Sequence, residues 1–317
     1  MDSDTKRALG AFVGHLDRPL GIADVGCRWG FAEAWGRLGA AARIVGFDPD
    51  AEECARLRGR YVDQPNVEVV DRALASRVGR RTVHVTREPA CSSFFPPDPV
   101  VLAQIPDLSI MTPIGNSQSD TTTLDRWLQD TNWGPIDFIK ADVQGAELEV
   151  LLGAVNALPN VVLMELEVEF NQLYEGQALF ADVDVFARQQ GFRLWRLSNL
   201  AHYTRIGSPP HPPITDVHFC DSRPVEWRSP GGQLFWAHAL FVAVDVVDRT
   251  AEDWQRPLRA GCVAATLDLP DVALHAWVGA SHAAPPELTG EIKAAITDYE
   301  QALGISLEAD ASDFKQA

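Results

Sequence analysis

The sequence has no C-x-x-C pair. Its five cysteines, Cys27, Cys54, Cys91, Cys220 and Cys262, are odd in number and widely scattered, which counts against a disulfide framework and a zinc cluster and predicts reduced thiols. No apolar run of about 18 residues occurs, and the acidic start "MDSDTKRALGAFVGHLDRP" holds no sustained apolar stretch, so no membrane insertion is expected and a cytoplasmic location is predicted. Positive charge is scarce as well. Against 44 Asp plus Glu there are 27 Lys plus Arg, and the net charge of −17 repels polyanions, so nucleic acid is not an expected partner. Internal repeats are absent, and with no G-x-S-x-G elbow an α/β-hydrolase is disfavoured. What remains is a chain of 317 residues, 46% hydrophobic, with enough apolar material for one large packed domain and additions.

Strand-like and helix-like patterns alternate over the first two-thirds, as in βαβ units feeding a parallel sheet. "GIADVG" reads as the first strand. "FAEAWGRLGA" reads as a helix on the spacing of Phe31, Ala34, Trp35 and Leu38, and "RIVGFD" as the second strand. Asp50 caps a helix "DAEECARL", "NVEVVD" is the third strand and "IDFIKAD" the fourth. "GAELEVLLGAV" carries a helical stripe of Leu148, Leu151, Leu152 and Val155, followed by a fifth strand "NVVLMELEV". The helix "LFADVDVFARQQG" and the strands "FRLWRL" and "LFWAHALFVAVD" complete a doubly wound order. Residues 87–120 and 198–234 are rich in Pro, Gly and Ser and read as loops or lids. The predicted organisation is a helical lead-in over 1–19, a catalytic domain over 20–247 and a C-terminal helical extension over 248–317.

The turn "DVGCRWG" lacks the middle glycine of the dinucleotide fingerprint G-x-G-x-x-G, which weakens a nicotinamide-cofactor reading. Its D-x-G-x-x-x-G spelling suits S-adenosylmethionine, which has no pyrophosphate and asks for backbone approach to its amino-acid part. Packing of a helix on a strand remains the alternative. Asp24, Gly26, Cys27 and Gly30 are the candidate residues of this turn. Asp48 ends the second strand about 20 residues after Gly26, where a carboxylate can accept from both ribose hydroxyls. Asp71 and the small Ala73, after the third strand, are candidates for the adenine.

On "TTTLDRWLQDTNWGPIDFIKADVQGAELEVLLGA" (121–154), "VVLMELEVEFNQLYEGQ" and "GQLFWAHALFV", the sequence resembles the FkbM-type methyltransferases, in coherent order over about residues 20–245. The resemblance implies a class I S-adenosylmethionine-dependent methyltransferase fold: α/β, doubly wound, with a mostly parallel seven-stranded sheet. It also implies methyl transfer to a hydroxyl of a sugar, glycan or polyketide-type small-molecule acceptor. Where the family has Glu, this chain has Gln144. A catalytically silent S-adenosylmethionine-binding scaffold and an NAD-dependent oxidoreductase are the competing readings.

An acceptor hydroxyl must be aligned and relieved of its proton. Asp142, at the end of the fourth strand, is a candidate base, hydrogen-bond acceptor or metal ligand, and also a cofactor contact. Glu165 is expected to end the neighbouring strand, where it and Asp142 could together hold Mg²⁺. Lys140 shares a strand face with Asp142 and is either a base of depressed pKa or an ion-pair partner. His202 and His218 are further candidate bases. Ser92, Ser93, Glu169, Tyr174 and Gln177, with Glu165, are candidates to line the acceptor pocket.

Overall fold

The computed structural model describes residues 3–209, 211–220, 223–229 and 231–305, apart from the side chains of residues 3, 216–220, 223–225 and 227–229. In chain order the elements are α1 (Ser3–Val13), β1 (Leu20–Val25), β2 (Ala42–Phe47), α2 (Ala51–Arg60), β3 (Val67–Val70), β4 (Ala73–Leu74), β5 (Gly79–Thr86), α3 (Pro99–Gln104), β6 (Pro113–Thr122), α4 (Leu124–Thr131), β7 (Phe138–Ala141) and α5 (Glu147–Leu152). They continue with β8 (Leu163–Glu169), α6 (Phe180–Gln189), β9 (Phe192–Tyr203), β10 (Ile214–Cys220), β11 (Arg223–Ser229), β12 (Gln233–Ala243), α7 (Val244–Val247), α8 (Gln255–Thr266), α9 (Pro270–Ala283) and α10 (Pro286–Leu303). The described residues fall into two compact units, one built from 21–32 and 43–242, the other from parts of 1–20, 33–42 and 243–317.

The first unit carries a mostly parallel sheet in the order β3-β2-β1-β7-β8-β12-β9. β1 runs parallel to β7, β7 to β8 and β2 to β3, while β12 is antiparallel to β8. The chain winds outward from β1 to β3 on one side and from β7 to β8 on the other. The crevice at that reversal, beyond the carboxyl ends of β1, β2 and β7, is where an open α/β sheet binds ligands. Ile22, Val45, Phe47, Ile139, Leu163, Met164, Leu166 and Val168 are buried on these strands, each side chain worth about 1.5–3 kcal/mol in removal from water. The Asp50 carboxylate caps α2 by accepting from the Glu52 and Glu53 amides, as its position before the helical run predicts.

Four local expectations fail. "FAEAWGRLGA" folds as two short 3-10 turns, Glu33–Arg37 and Gly39–Ala41, because Gly36 and Gly39, the latter at φ +52°, interrupt the helical spacing. Residues 87–120 are more than a lid, for β6 pairs antiparallel with β5 from Thr121 back to Pro113. Six of the ten β6 positions are exposed in succession, so the strand presents polar residues and reads as loop. The second insertion likewise contains strand: β9 extends to Tyr203, and β10 and β11 form an antiparallel hairpin. Finally, α5 buries Glu147, Val150 and Leu151, whereas Leu152 and Val155 of the expected stripe are exposed. A carboxylate on the inner face shifted the apolar pattern.

The second unit is helical, formed by α1, the two 3-10 turns and α7–α10. Phe12 stacks on Trp277 with ring centroids 3.6 Å apart, and Tyr299 meets the same indole edge-on at 4.9 Å. No helix among the described residues is long and apolar enough to cross a membrane.

Candidate active site

A cleft of about 540 Å³ opens at the strand ends. Its floor is formed by Val25 and Gly26 at the end of β1, Phe47 and Asp48 at the end of β2, and Asp142, Val143 and Gln144 after β7. Gly26 serves both packing and approach to the cleft. At φ +82°, a Cβ there would lie 2.0 Å from the Asp142 carbonyl oxygen, so the missing side chain admits the neighbouring backbone as well as facing the cleft. Gly30, at φ +97°, leaves room for the Tyr61 hydroxyl instead, and Arg60 donates to the Trp29 carbonyl at 3.1 Å. The turn is thereby pinned from behind while the Trp29 side chain, 69% exposed, stands at the cleft wall.

Asp48 is 5% exposed and accepts from the Asp50 amide at 2.8 Å. Burial pushes its carboxyl up to about 6, against the pull of that amide and of Arg28. Arg28 itself is paired with Asp50 at 3.0 Å. The opposite wall comes from the small sheet and the segment before α3: Ala73, Val83, Val85, Ser92, Ser93, Phe94, Ser117 and Gln118. Ser92 Oγ accepts from the Thr86 amide, and Ser93 Oγ donates to the Gln144 carbonyl at 2.6 Å, so both hydroxyls also brace the wall.

Behind the floor lies an acidic cluster. Lys140 reaches Asp24 at 3.7 Å; burial opposes its charge, but Asp24, Asp142 and Glu165 hold its pKa above the ordinary lysine value. That direction is opposite to a depressed-pKa base and corrects that reading of Lys140. Asp24 is raised by its burial, which outweighs Lys140. Asp142 is held low: burial works against its charge, and Lys140, His238 and hydrogen bonds from Glu167 and Gln144 overcome it. Glu147 accepts from the Val143 amide at 2.7 Å, and burial still pushes it up to about 8.

Glu165 is not the partner of Asp142. β8 runs on to Glu169, which leaves Glu165 back along the strand in register with Lys140 and 3.6 Å from His238 Nδ1. The carboxyl group beside Asp142 is that of Glu167. Gln144 Nε2 donates to Asp142 at 2.9 Å and to Glu167 at 2.7 Å, and Gln144 Oε1 accepts from the Tyr174 hydroxyl at 2.9 Å. Asp142, Glu167 and His238 can each offer one ligand atom within 4.8 Å of the others. A hydrogen-bond donor already bridges the two carboxyl groups, so the set as arranged does not fit Mg²⁺, which wants an open cluster of oxygens. The expected Asp142–Glu165 metal pair is therefore withdrawn.

The remaining candidates divide. Gly26, Asp48, Ala73, Ser92, Ser93 and Asp142 line the cleft, whereas Asp24, Cys27 and Gly30 do not. Cys27 is buried beneath the turn, its thiol pushed up by burial. Asp71 is half exposed and paired with Arg58 at 3.0 Å, away from the cleft. Tyr174 is fully buried and Glu169 nearly so. Gln177 Oε1 accepts from the Leu173 and Tyr174 amides, and its side chain lines a separate cavity of about 270 Å³ with Phe95, Gly145 and Leu148. Nor do Glu165, Glu169, Tyr174 and Gln177 line the main cleft, because their burial serves the sheet and the wall. His202, on β9, is also absent from it, and the His218 side chain lies outside the described residues. The sequence reading missed Glu167, although "ELEVE" places Glu165, Glu167 and Glu169 on one strand face at i, i+2 and i+4. It also missed the β5–β6 wall and Trp29.

Residues 24–194 match the Methyltransferase FkbM domain. The chain belongs to that family. The match takes in the glycine turn, Asp48, Asp142, Gln144 and Glu167. The 2-O-methyltransferase NoeI of Sinorhizobium fredii is 28% identical over 160 residues, 49% of this chain and 66% of that protein's length. Among solved structures, an S-adenosylmethionine-dependent methyltransferase from Aquifex aeolicus aligns at 12% identity and TM-score 0.30, over 75% of this chain and 90% of its own. TrmK of M. capricolum, in complex with S-adenosylhomocysteine, aligns at 6% identity and TM-score 0.33, over 93% of this chain and 96% of its own.

Proposed function

We propose that this FkbM-family methyltransferase transfers the methyl group of S-adenosylmethionine to a hydroxyl of a sugar, glycan or polyketide-type metabolite. The observation that carries the reading is the pairing, in one cleft, of Asp48 after β2 with Asp142 after β7. The cleft's size falls in the usual range for small-molecule sites, about 300–1,000 Å³. Asp48 would accept from the ribose hydroxyls, and the Gly26 turn would let backbone groups approach the amino-acid part. When bound, S-adenosylmethionine supplies an electrophilic methyl on sulfur. Asp142 would take the proton of the acceptor hydroxyl while the acceptor oxygen receives the methyl group, giving a methyl ether, S-adenosylhomocysteine and protonated Asp142. The low pKa of Asp142 favours an ionised, available carboxylate.

The oxygen-methylation part of the reading is supported by the name of the Sinorhizobium relative, a 2-O-methyltransferase. The net charge of −17 weighs against a nucleic-acid acceptor. Incubation with methyl-labelled S-adenosylmethionine and a panel of hydroxylated oligosaccharides and polyketides, with RNA as the comparison, tests it. Label in an acid-stable methyl ether is expected from wild type and not from Asp48→Ala; label in RNA alone would replace the acceptor class.

A further inference from the structure

We propose that Gln144 is a positioning residue whose side-chain amide takes the place of a divalent cation between Asp142 and Glu167 and fixes the Asp142 carboxylate at the cleft floor. The inference rests on the reading of Asp142 as the group that receives the acceptor's proton. It starts from three hydrogen bonds of the amide, one of them to the Tyr174 hydroxyl, which also faces the Cys91 carbonyl at 2.8 Å. The Tyr174 hydroxyl meets Oε1 at 2.9 Å, and Nε2 faces Asp142 Oδ1 at 2.9 Å and Glu167 Oε2 at 2.7 Å. Turned over, the amide would present its oxygen to the ionised Asp142, a repulsive contact in a desolvated place. In the observed orientation two N–H groups meet two carboxyl oxygens.

Two carboxyl groups that share one small atom as partner need something electropositive between them, whether a metal, a proton or donors. Lys140 pairs with Asp24 at 3.7 Å, and His238 Nδ1 faces Glu165 at 3.6 Å. Burial and the charges of Asp142, Glu169 and Glu147 push the Glu167 carboxyl well above its usual range, and it hydrogen-bonds Asp142 directly; the amide hydrogens supply the remaining donors and hold that pair in place. The backbone is arranged for it. Gln144 sits at φ +60°, a conformation sparsely populated by residues with a side chain, and its carbonyl is held by the Ser93 hydroxyl at 2.6 Å. A strained residue held by its carbonyl and at both ends of its side-chain amide is over-determined by its surroundings, as strain at a working site requires. Asp142 and Gln144 both line the cleft, while Glu167 is 8% exposed. The amide therefore couples the Asp142 carboxylate at the floor to the buried Glu167 carboxyl group behind it.

The test compares wild type, Gln144→Met, which keeps the length without donors, and Gln144→Glu, which keeps the shape and reverses the polarity. Calorimetry with S-adenosylhomocysteine reports folding and the cofactor site, calorimetry with Mn²⁺ reports the carboxyl cluster, and turnover is measured with and without chelator. Wild type is expected to bind no stoichiometric Mn²⁺ and to keep its rate in chelator. Gln144→Met should hold S-adenosylhomocysteine within about threefold yet lose at least about tenfold in kcat. Gln144→Glu, with three carboxyl groups and no amide donor between them, should take up one Mn²⁺ and regain part of its lost rate when Mn²⁺ is added. Stoichiometric Mn²⁺ on wild type, unchanged kcat in Gln144→Met, or no Mn²⁺ on a Gln144→Glu variant that still binds S-adenosylhomocysteine would each overturn the proposal. The Mn²⁺ measurements need no turnover. A normal rate in Asp142→Asn would thus refute the base assignment separately.

Discussion

Replacing Asp48 by Asn should make the free protein more stable at neutral pH while impairing the cleft. Burial raises the Asp48 carboxyl from 3.8 to about 6, and a shift of that size means that ionised Asp48 costs the folded state up to about 3 kcal/mol. The sign follows from the direction. Above about pH 6 the folded chain holds an ionised group that it disfavours, so the full cost is present. As pH falls from about 6 towards 4, the folded protein takes up the proton and the cost is relieved. Asn resembles the protonated acid and can still accept from the Asp50 amide. Urea denaturation of the free protein should therefore show Asp48→Asn more stable by about 1–3 kcal/mol at pH 7, with the advantage shrinking towards zero near pH 4. S-adenosylhomocysteine affinity at pH 7 should fall by about 1.5–3 kcal/mol, since the ribose loses a charged acceptor. A variant less stable than wild type at pH 7, or one whose gain is the same at pH 4 and pH 8, would refute the reasoning.

Other outcomes follow from the same geometry. Gly26→Ala forces a Cβ onto the Asp142 carbonyl at positive φ; stability and S-adenosylhomocysteine binding should fall together, stability by at least about 2 kcal/mol, and a stable variant that merely fails to bind would contradict this. Asp50→Ala removes the cap of α2 and should cost about 1 kcal/mol in denaturation, with no loss counting against the cap. The exposed Trp29 at the cleft wall should change its fluorescence on S-adenosylhomocysteine binding, and Trp29→Phe should remove that change; a signal that survives the substitution comes from another tryptophan.

The central sheet was legible because its buried strands are nearly unbroken apolar runs: "GIADV" and "NVVLMELEV" announce themselves by hydrophobicity and spacing, and Asp50 by its place before a helix. The positions of Asp48 and Asp142 follow from those strand ends. The β5–β6 wall was illegible because β6 is exposed along most of its length, so Asn116, Ser117, Gln118 and Ser119 carry no apolar alternation. Nothing in "NVVLMELEVE" marks which of Glu165, Glu167 and Glu169 meets Asp142, because all three share one face of β8. An extension of β8 to Glu169 exchanges the carboxyl group that meets Asp142. The shifted face of α5 has a related cause, since buried Glu147, bonded to the Val143 amide, occupies a place that a hydrophobic stripe assigns to leucine. Buried polar groups with specific partners defeat patterning rules, and here they concentrate at the cleft.

The central claim is that Asp142 receives the acceptor's proton. With an acceptor identified by label transfer, the most direct measurement is kcat for Asp142→Asn beside its S-adenosylhomocysteine dissociation constant. The account predicts a loss of about 10²–10⁴ in kcat, the range for a general base, with the dissociation constant nearly unchanged. A normal kcat would contradict it.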